Sequence, residues 1–234
     1  MGGLFSFNDA EIQAIKLSVE VAVYCSLISL PIALLLGYKM ARHDFIGKPL
    51  VESIIHLPLV MPPVTTGYLL LLLFGSRSFF GTLLNDLFGI KIPYTFYAAV
   101  IASVFVSLPL VVRSVRTAME LVDSGLEEAS RILGAGKLRT FFQVTVPLAL
   151  PGIVSGGILA FARSLGEFGA TITFAGNIEG ETQTLPLAIY SYMQVPGGES
   201  ATLRLVIVSV IISFIAMTLS EWYVRKMKRD KVKQ

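Results

Sequence analysis

The sequence predicts an all-α membrane protein in which five transmembrane helices are joined by loops and by one cytoplasmic helical hairpin. Hydrophobic residues make up 54% of the 234 residues and charged residues only 15%, and the mean hydropathy is +0.72. A soluble domain of this length carries more charge, so the composition excludes one. Apolar runs also recur at the length of about 20 residues that crosses a bilayer.

The spans are expected at about residues 13–38, 50–74, 92–116, 146–173 and 202–224 of a single domain, residues 1–234. A signal peptide is an alternative for the first run, but only Lys16 precedes its apolar core, so a retained span is expected. The fourth run is interrupted by Arg163 and Glu167. It is interpreted as one helix with an irregular outer end.

Span two contains a group of residues that interrupts a regular helix near its middle: Pro58, Pro62, Pro63, Thr65, Thr66 and Gly67. Prolines leave backbone carbonyls without donors, and the membrane interior tolerates these only beside protein or a water-filled cavity. Two interpretations stay open. The break is a packing kink, or Thr65 and Thr66 line a translocation path.

The distribution of basic residues predicts the orientation, because short cytoplasmic loops are rich in Lys and Arg. Fourteen lie on one predicted side: Lys39, Arg42, Lys48, Arg113, Arg116, Arg131, Lys137, Arg139, Arg225, Lys226, Lys228, Arg229, Lys231 and Lys233. The other side has Arg77, Lys91 and Arg204. We therefore expect the N-terminus outside and the C-terminus in the cytoplasm. A basic tail that anchors to lipid headgroups explains the pI near 9.0 without nucleic acid.

The segment at about residues 117–147 is polar and basic, although it lies between strongly apolar blocks. Ser124 and Glu127 have the spacing of a capping box, so a helix should start near Gly125. Apolar residues follow at roughly helical spacing, opposite Glu128 and Arg131: Leu121, Leu126, Ala129, Ile132 and Leu133.

Gly134 and Gly136 permit a turn after this helix, and a second helix should lead to Pro147. A pair of short amphipathic helices beside a membrane is often an interfacial element. The alternative is a docking element for a soluble partner.

The spacing of this segment resembles a known loop. The pattern is E-A-S at residues 128–130, then three residues, Gly134, nine residues and V-T-V-P at residues 144–147. It resembles the E-A-A-x-x-x-G-x9-I-x-L-P loop of permease subunits of binding-protein-dependent ABC importers. Ser130, Val144 and Val146 stand where that pattern has Ala, Ile and Leu. In that family the loop forms a coupling helix that sits in a cleft of a cytoplasmic ATPase. The resemblance assigns the coupling role to Glu128, Ala129, Ser130, Gly134 and Pro147.

The resemblance also implies the type I ABC importer permease fold, a homodimer in the bacterial inner membrane, two copies of the ATPase subunit and a periplasmic binding protein. This chain lacks a nucleotide site of its own, since Pro49 and Leu138, and not Ser or Thr, follow its two Gly-Lys pairs. It has two His and one Cys, no metal-ligand cluster and no recognisable catalytic set. We therefore expect a transport subunit without cofactor or metal, not an enzyme.

A second resemblance concerns the substrate. Residues 161–172, with Asn177 and residues 196–199, resemble the fourth span and outer loop of bacterial molybdate permeases. Sulfate permeases share the G-E-F-G core, so this core fixes only the oxyanion class. The flank at 162–165, with Ser164, and the turn at 196–199 favour molybdate over sulfate. Tungstate is not distinguished from molybdate.

Arg163 and Glu167 are spaced to lie on one helical face within span four. Intramembrane ionisable groups are costly unless they are paired or wet. Either they form a structural ion pair, or Arg163 presents its fork of donors to a passing oxyanion. The candidate path or gate residues are therefore Pro62, Pro63, Thr65, Thr66, Arg163, Ser164 and Glu167.

An ion-coupled secondary transporter is the rival function, but the chain lacks internal repeats.

Overall fold

A computed structural model describes residues 6–232 and the side chains of residues 6–227. Within this part of the chain all regular structure is helical, which confirms the predicted all-α class. The helices are α1 (Asp9–Arg42), α2 (Lys48–Val60), α3 (Pro63–Phe74), α4 (Phe79–Phe88), α5 (Phe96–Glu120), α6 (Ser124–Ile132), α7 (Lys137–Thr140), α8 (Val146–Leu165), α9 (Gly169–Phe174), α10 (Leu185–Met193) and α11 (Glu199–Val232). A π-helical turn at Phe141–Thr145 joins α7 to α8.

Among residues 6–232, four helical segments are long and apolar enough to cross a membrane: α1, α5, the α7–α8 segment and α11. The pair α2 and α3 can form one further, broken span. The core of the bundle lies where α1, α5 and α8 pack together. Small residues permit this close approach: a β-carbon on Gly37 would come 2.9 Å from Val115 Cγ1, and Ser114 donates to the Gly152 carbonyl at 3.0 Å.

The two ends of the bundle differ. The α6 end carries the C-terminus of α1, the C-terminus of α5 and the start of α8. The α10 end carries the N-terminus of α1, where Asn8 donates to the Tyr192 hydroxyl at 3.1 Å, and the N-terminus of α11.

Two of the apolar segments are interrupted between the α6 end and the α10 end of the bundle. The axes of α2 and α3 differ by 117° across Met61 and Pro62, which confirms the break predicted from the prolines. Pro63 has no N–H to donate and stands at the first position of α3, where none is needed. The second break separates α8 from α9, so the irregular end predicted for the fourth run is a separate short helix.

The basic side chains predicted for the C-terminal tail fall partly outside the description. Arg225 and Lys226 are described on α11, and Lys226 Nζ lies 5.3 Å from the centre of the Trp222 ring. The side chains of Lys228, Arg229 and Lys231, and the whole of Lys233, lie outside the described residues.

Candidate functional site

Helix α6 begins at Ser124, close to its predicted start, but its cap differs from the prediction. Asp123 is the N-cap and its Oδ1 accepts from the Gly125 backbone N–H at 2.8 Å. The capping box predicted from Ser124 and Glu127 is therefore wrong. Asp123 takes that role because its carboxylate also suits the positive end of the helix dipole. Glu127 is left free to turn into the protein, where its side chain is 3% exposed.

The outward face of α6 is apolar. Leu126, Ile132 and Leu133 are 49%, 85% and 88% exposed, and Leu138 on α7 is 76% exposed. Glu128 and Ala129 are exposed beside them. A cluster of exposed large apolar side chains with charged neighbours is typical of a contact surface for another protein. We call this group, residues 126, 129, 132, 133 and 138, the α6 patch.

The end of α6 is a Schellman motif centred on Gly134. The Gly134 N–H donates to the Arg131 carbonyl at 3.0 Å, and the Ala135 N–H donates to the Ser130 carbonyl at 3.1 Å. Gly134 has a φ of +90°, in the region that favours glycine. The turn predicted at this residue is confirmed. Gly136, with a φ of −68°, needs no such freedom and is the N-cap of α7.

The remaining coupling candidates lie on different faces of the segment. The Ser130 hydroxyl is half-buried and contacts the Thr140 hydroxyl at 3.2 Å, so it faces α7 and not the α6 patch. Pro147 is exposed in the first turn of α8. Glu128, Ala129 and Gly134 are the exposed candidates on or next to the α6 patch.

The two broken segments meet through glycines. A β-carbon on Gly67 of α3 would lie 2.6 Å from the Ala170 carbonyl oxygen of α9. A β-carbon on Gly169 would lie 2.7 Å from Pro63 Cβ. Contacts this short leave no room for a side chain at either position unless neighbouring atoms shift, and Gly67 meets the backbone of α9 directly. We call this contact the α3–α9 junction.

The path candidates of span two divide at this junction. Thr66 is 1% exposed, and its hydroxyl has no hydrogen-bond partner among the described residues. Pro62 and Thr65 are exposed, while Pro63 is exposed but also adjoins Gly169. The structure therefore brings Pro63 to the α3–α9 junction, buries Thr66 next to Gly67, and leaves Pro62 and Thr65 on the surface of the chain.

The charged pair of span four bridges the second break. Arg163 Nη1 lies 2.8 Å from Glu167 Oε2, with side-chain exposures of 32% and 2%. Glu167 Oε1 also accepts from the Ala170 backbone N–H at 2.9 Å, so this carboxylate caps α9. Ser164 is buried beside Arg163 in the sequence, and its hydroxyl has no hydrogen-bond partner within the described part of the chain. The predicted ion pair is present, and it fixes α9 relative to α8.

Glu127 is the residue that sequence reasoning missed. Its Oε1 accepts from Thr145 Oγ1 at 2.7 Å and from Arg42 Nη2 at 3.0 Å, and Arg131 Nη2 lies 3.5 Å from its Oε2. A signal for it exists, because Glu127 lies three residues from Ser130 and four from Arg131, so these polar residues are neighbours on a helix. That pattern could have identified an inward face, but not the partners on it.

A bundle of membrane-crossing helices that offers an apolar helix at one end is the arrangement of a membrane subunit that works with a separate protein. The chain belongs to the family of binding-protein-dependent transport system inner membrane components, which it matches over residues 29–229. It is therefore a permease subunit of the ABC importer class.

The relatives extend over nearly the whole chain. The molybdenum transport system permease protein ModB of Escherichia coli K12 is 51% identical over 93% of this chain and 95% of its own length. Its counterpart in Haemophilus influenzae is 50% identical over 94% of this chain and 96% of its own length. The sulfate transport system permease protein CysT of Salmonella typhimurium is 32% identical over 94% of this chain and 80% of its own length.

Solved structures agree with the fold. A bacterial ABC transporter involved in the import of the acidic polysaccharide alginate matches with a TM-score of 0.73 at 14% identity, over 94% of this chain and 80% of that chain. The MetNI methionine ABC transporter in an inward-facing conformation matches with a TM-score of 0.67 at 19% identity, over 93% and 94%. The fold is the type I ABC importer permease fold, as the resemblance implied.

Proposed function

We propose that this chain is the inner-membrane permease subunit of a bacterial importer that carries molybdate into the cytoplasm. A separate ATPase subunit supplies the energy, and a periplasmic molybdate-binding protein supplies the substrate. The observation that carries the proposal is the α6 patch, because large exposed apolar side chains on a capped, rigid helix are suited to insertion into a cleft of another protein.

The orientation follows from charge. The basic side chains described at the α6 end include Arg42, Lys48, Arg131, Lys137 and Arg139. By the positive-inside rule this end faces the cytoplasm, where ATP is available. The N-terminus of α1 then lies outside, and the C-terminus of α11 lies in the cytoplasm.

Two copies of the chain would form the transporter, with a path between them and one α6 patch offered to each of two ATPase subunits. Closing of the ATPase pair on ATP would draw the two α6 helices together. Because α7, the π-helical turn and α8 are continuous, this movement enters span four directly. Hydrolysis would then reset the inward-facing state.

The gate would form at the α3–α9 junction. Movement of α8 carries Arg163 and Glu167 with it, and α9 is tied to Glu167 and packed on α3. The path would then be lined or shaped by Pro62, Pro63, Thr65, Thr66, Arg163, Ser164 and Glu167. Arg163 is suited to a brief contact with a divalent oxyanion, since its planar guanidinium offers several donors in a fixed fork.

Molybdate is preferred to sulfate because the chain is 51% identical to a molybdenum permease and only 32% identical to a sulfate permease over similar lengths. Tungstate resembles molybdate in charge and size, so we expect the binding protein to make that choice. The acidic, exposed Glu179 and Glu181 between α9 and α10 suit contact with a protein surface better than capture of an anion.

The experiment is uptake of radioactive molybdate by proteoliposomes that hold this chain with its ATPase and binding protein. We expect uptake that requires ATP on the side of the vesicle membrane that bears α6. We also expect tungstate to compete with molybdate far more strongly than sulfate does. Uptake without the ATPase would contradict the proposal and favour an ion-coupled secondary transporter. Stronger competition by sulfate would keep the importer class and change the substrate.

A further inference from the structure

The inward face of α6 holds a buried carboxylate. Glu127 is 2% exposed, whereas its neighbour Glu128 is exposed, so two adjacent residues with identical side chains have opposite environments. A carboxylate in such a position must be paired and hydrogen-bonded to remain charged. The pairs that Glu127 makes therefore determine where α6 can lie.

Three donors converge on Glu127 from two other parts of the chain and from α6 itself. Arg42, the last residue of α1, donates to Oε1 from Nη2 at 3.0 Å and from Nε at 3.2 Å. Thr145, the last residue of the π-helical turn, donates to the same oxygen at 2.7 Å. Arg131 on α6 lies 3.5 Å from the other oxygen.

Arg42 makes a second contact with the same region. Its Nη2 donates to the carbonyl of Val122 at 2.7 Å, immediately before the cap of α6. The guanidinium therefore holds both the entry to α6 and its first turn. The side chain is 16% exposed, and charge-assisted hydrogen bonds of this geometry are stronger than neutral ones.

The π-helical turn explains how α6 can be held at two points along α7 and α8. Ser130 contacts Thr140 and Glu127 contacts Thr145, and these threonines are five residues apart. In an α-helix such residues point about 140° apart. A turn closed by i to i+5 bonds, as between the Val146 N–H and the Phe141 carbonyl, brings them onto one side.

We propose that Glu127 is the positioning residue that transmits movement of α6 to two spans, to α1 through Arg42 and to α8 through Thr145. This inference rests on the proposed function. The α6 patch receives the force from the ATPase, and Glu127, on the opposite face, passes it on. Loss of this residue separates ATP hydrolysis from transport and leaves the docking surface intact.

The test compares reconstituted complexes of wild type, Glu127→Gln and Glu11→Gln. Glu11 is the matched control, because it is a fully buried carboxylate that pairs with Arg204 at the other end of α1. For each complex we would measure ATPase co-purification, the rate of ATP hydrolysis, and molybdate taken up per ATP hydrolysed. A role that is only structural lowers the yield of complex but does not move the last ratio.

We expect Glu127→Gln to co-purify with the ATPase and hydrolyse ATP while molybdate per ATP falls at least tenfold, and Glu11→Gln to keep the wild-type ratio. A wild-type ratio in Glu127→Gln, or an equal fall in both variants, overturns the inference. If Glu127→Gln fails to insert, Thr145→Val and Thr145→Ser decide. Only the valine variant should lower the ratio, and a wild-type ratio in the valine variant overturns the inference.

A different result would mark failure of the proposed function itself. In that case the wild-type complex would show no ATP-driven molybdate uptake, whatever the variants do. With wild-type uptake present, the ratios in the variants bear on Glu127 alone.

Discussion

The two ends of α1 carry the same interaction in different settings. At the α10 end Glu11 pairs with Arg204 of α11 at 2.6 Å, and at the α6 end Arg42 pairs with Glu127 at 3.0 Å. Both carboxylates are buried. The chemistry is therefore matched, and the difference lies in the elements that each pair joins.

The pair at the α10 end joins two long helices. Glu11 also belongs to the capping box of α1, in which its backbone N–H donates to Asn8 Oδ1 at 2.7 Å and its Oε2 accepts from the Asn8 N–H at 2.8 Å. The pair at the α6 end joins a long helix to a helix of nine residues whose opposite face is exposed and apolar. One pair joins two long helices of the bundle, and the other holds the short helix that we propose a partner moves.

The largest effect is expected from Gly134→Val, which breaks the α6 end alone. The β-carbon would meet no atom within 4 Å, but a φ of +90° is strained for a β-branched residue, at a cost of roughly 1–3 kcal/mol. The turn should reorganise, and ATPase co-purification should fall at least tenfold. Gly136→Val is the control, since its β-carbon is equally free of contacts and its φ is negative. Equal loss in both variants would show that bulk, not the turn, is at fault.

A third pair, of the half-buried Arg163 with the buried Glu167, lies between the two ends, and its variants distinguish assembly of the complex from transport. Arg163→Ala should abolish uptake in a complex that still assembles. It also leaves the Glu167 carboxylate buried without its charge partner, which is costly in itself. The double variant Arg163→Ala with Glu167→Gln removes that cost. Uptake that returns in the double variant would assign Arg163 a structural role, and uptake that stays absent would support contact with the oxyanion.

A smaller effect is expected at the α3–α9 junction. Gly67→Ala places a β-carbon 2.6 Å from the Ala170 carbonyl oxygen and 2.8 Å from Thr173 Cβ. Overpacking of this kind costs about 1–3 kcal/mol, so Tm should fall by roughly 3–9 °C. The nearby control is Gly166→Ala, whose β-carbon would meet only the Arg163 carbonyl at 4.0 Å. A Tm for Gly67→Ala equal to that of the control would mean that the junction is looser than described.

The smallest effect is expected from Glu20→Gln. This variant tests whether the ion pairs of α1 stabilise the protein because they are buried or simply because they are charged. Glu20 pairs with Lys16 at 3.8 Å, and both side chains are largely exposed, at 46% and 74%. Exposed pairs contribute about 0.2–1 kcal/mol, so Tm should change by less than about 3 °C. Glu11→Gln, the same change nine positions earlier on the same helix, should lower Tm more. Equal changes in Tm for Glu20→Gln and Glu11→Gln would show that burial does not make one pair more stabilising than the other.

Much of the fold could be predicted from local sequence. The adjacent prolines at 62 and 63 mark the break between α2 and α3, whereas the isolated Pro58 lies within α2. Gly134 marks the turn after α6 because few other residues adopt its φ. These features depend on a few adjacent residues, and the sequence contains all of them.

The cap of α6 and the role of Glu127 could not be predicted in the same way. Asp123 and Ser124 are both suitable N-caps, and the choice depends on which face Glu127 must present to Arg42, 85 residues away. The π-helical turn likewise follows from the fit of Thr140 and Thr145 against α6. Tertiary packing decides between local alternatives here, and one sequence does not contain that packing.

The most direct test of the docking of α6 is photo-crosslinking in the assembled complex from two positions, one at each end. A photoreactive amino acid would replace Ile132 in the α6 patch or Met193 on α10, which are 85% and 69% exposed. We predict a crosslink from position 132 to the ATPase subunit and none from position 193. A complex in which position 132 reaches only lipid, or in which position 193 reaches the ATPase, would contradict the assignment of α6 as the coupling helix.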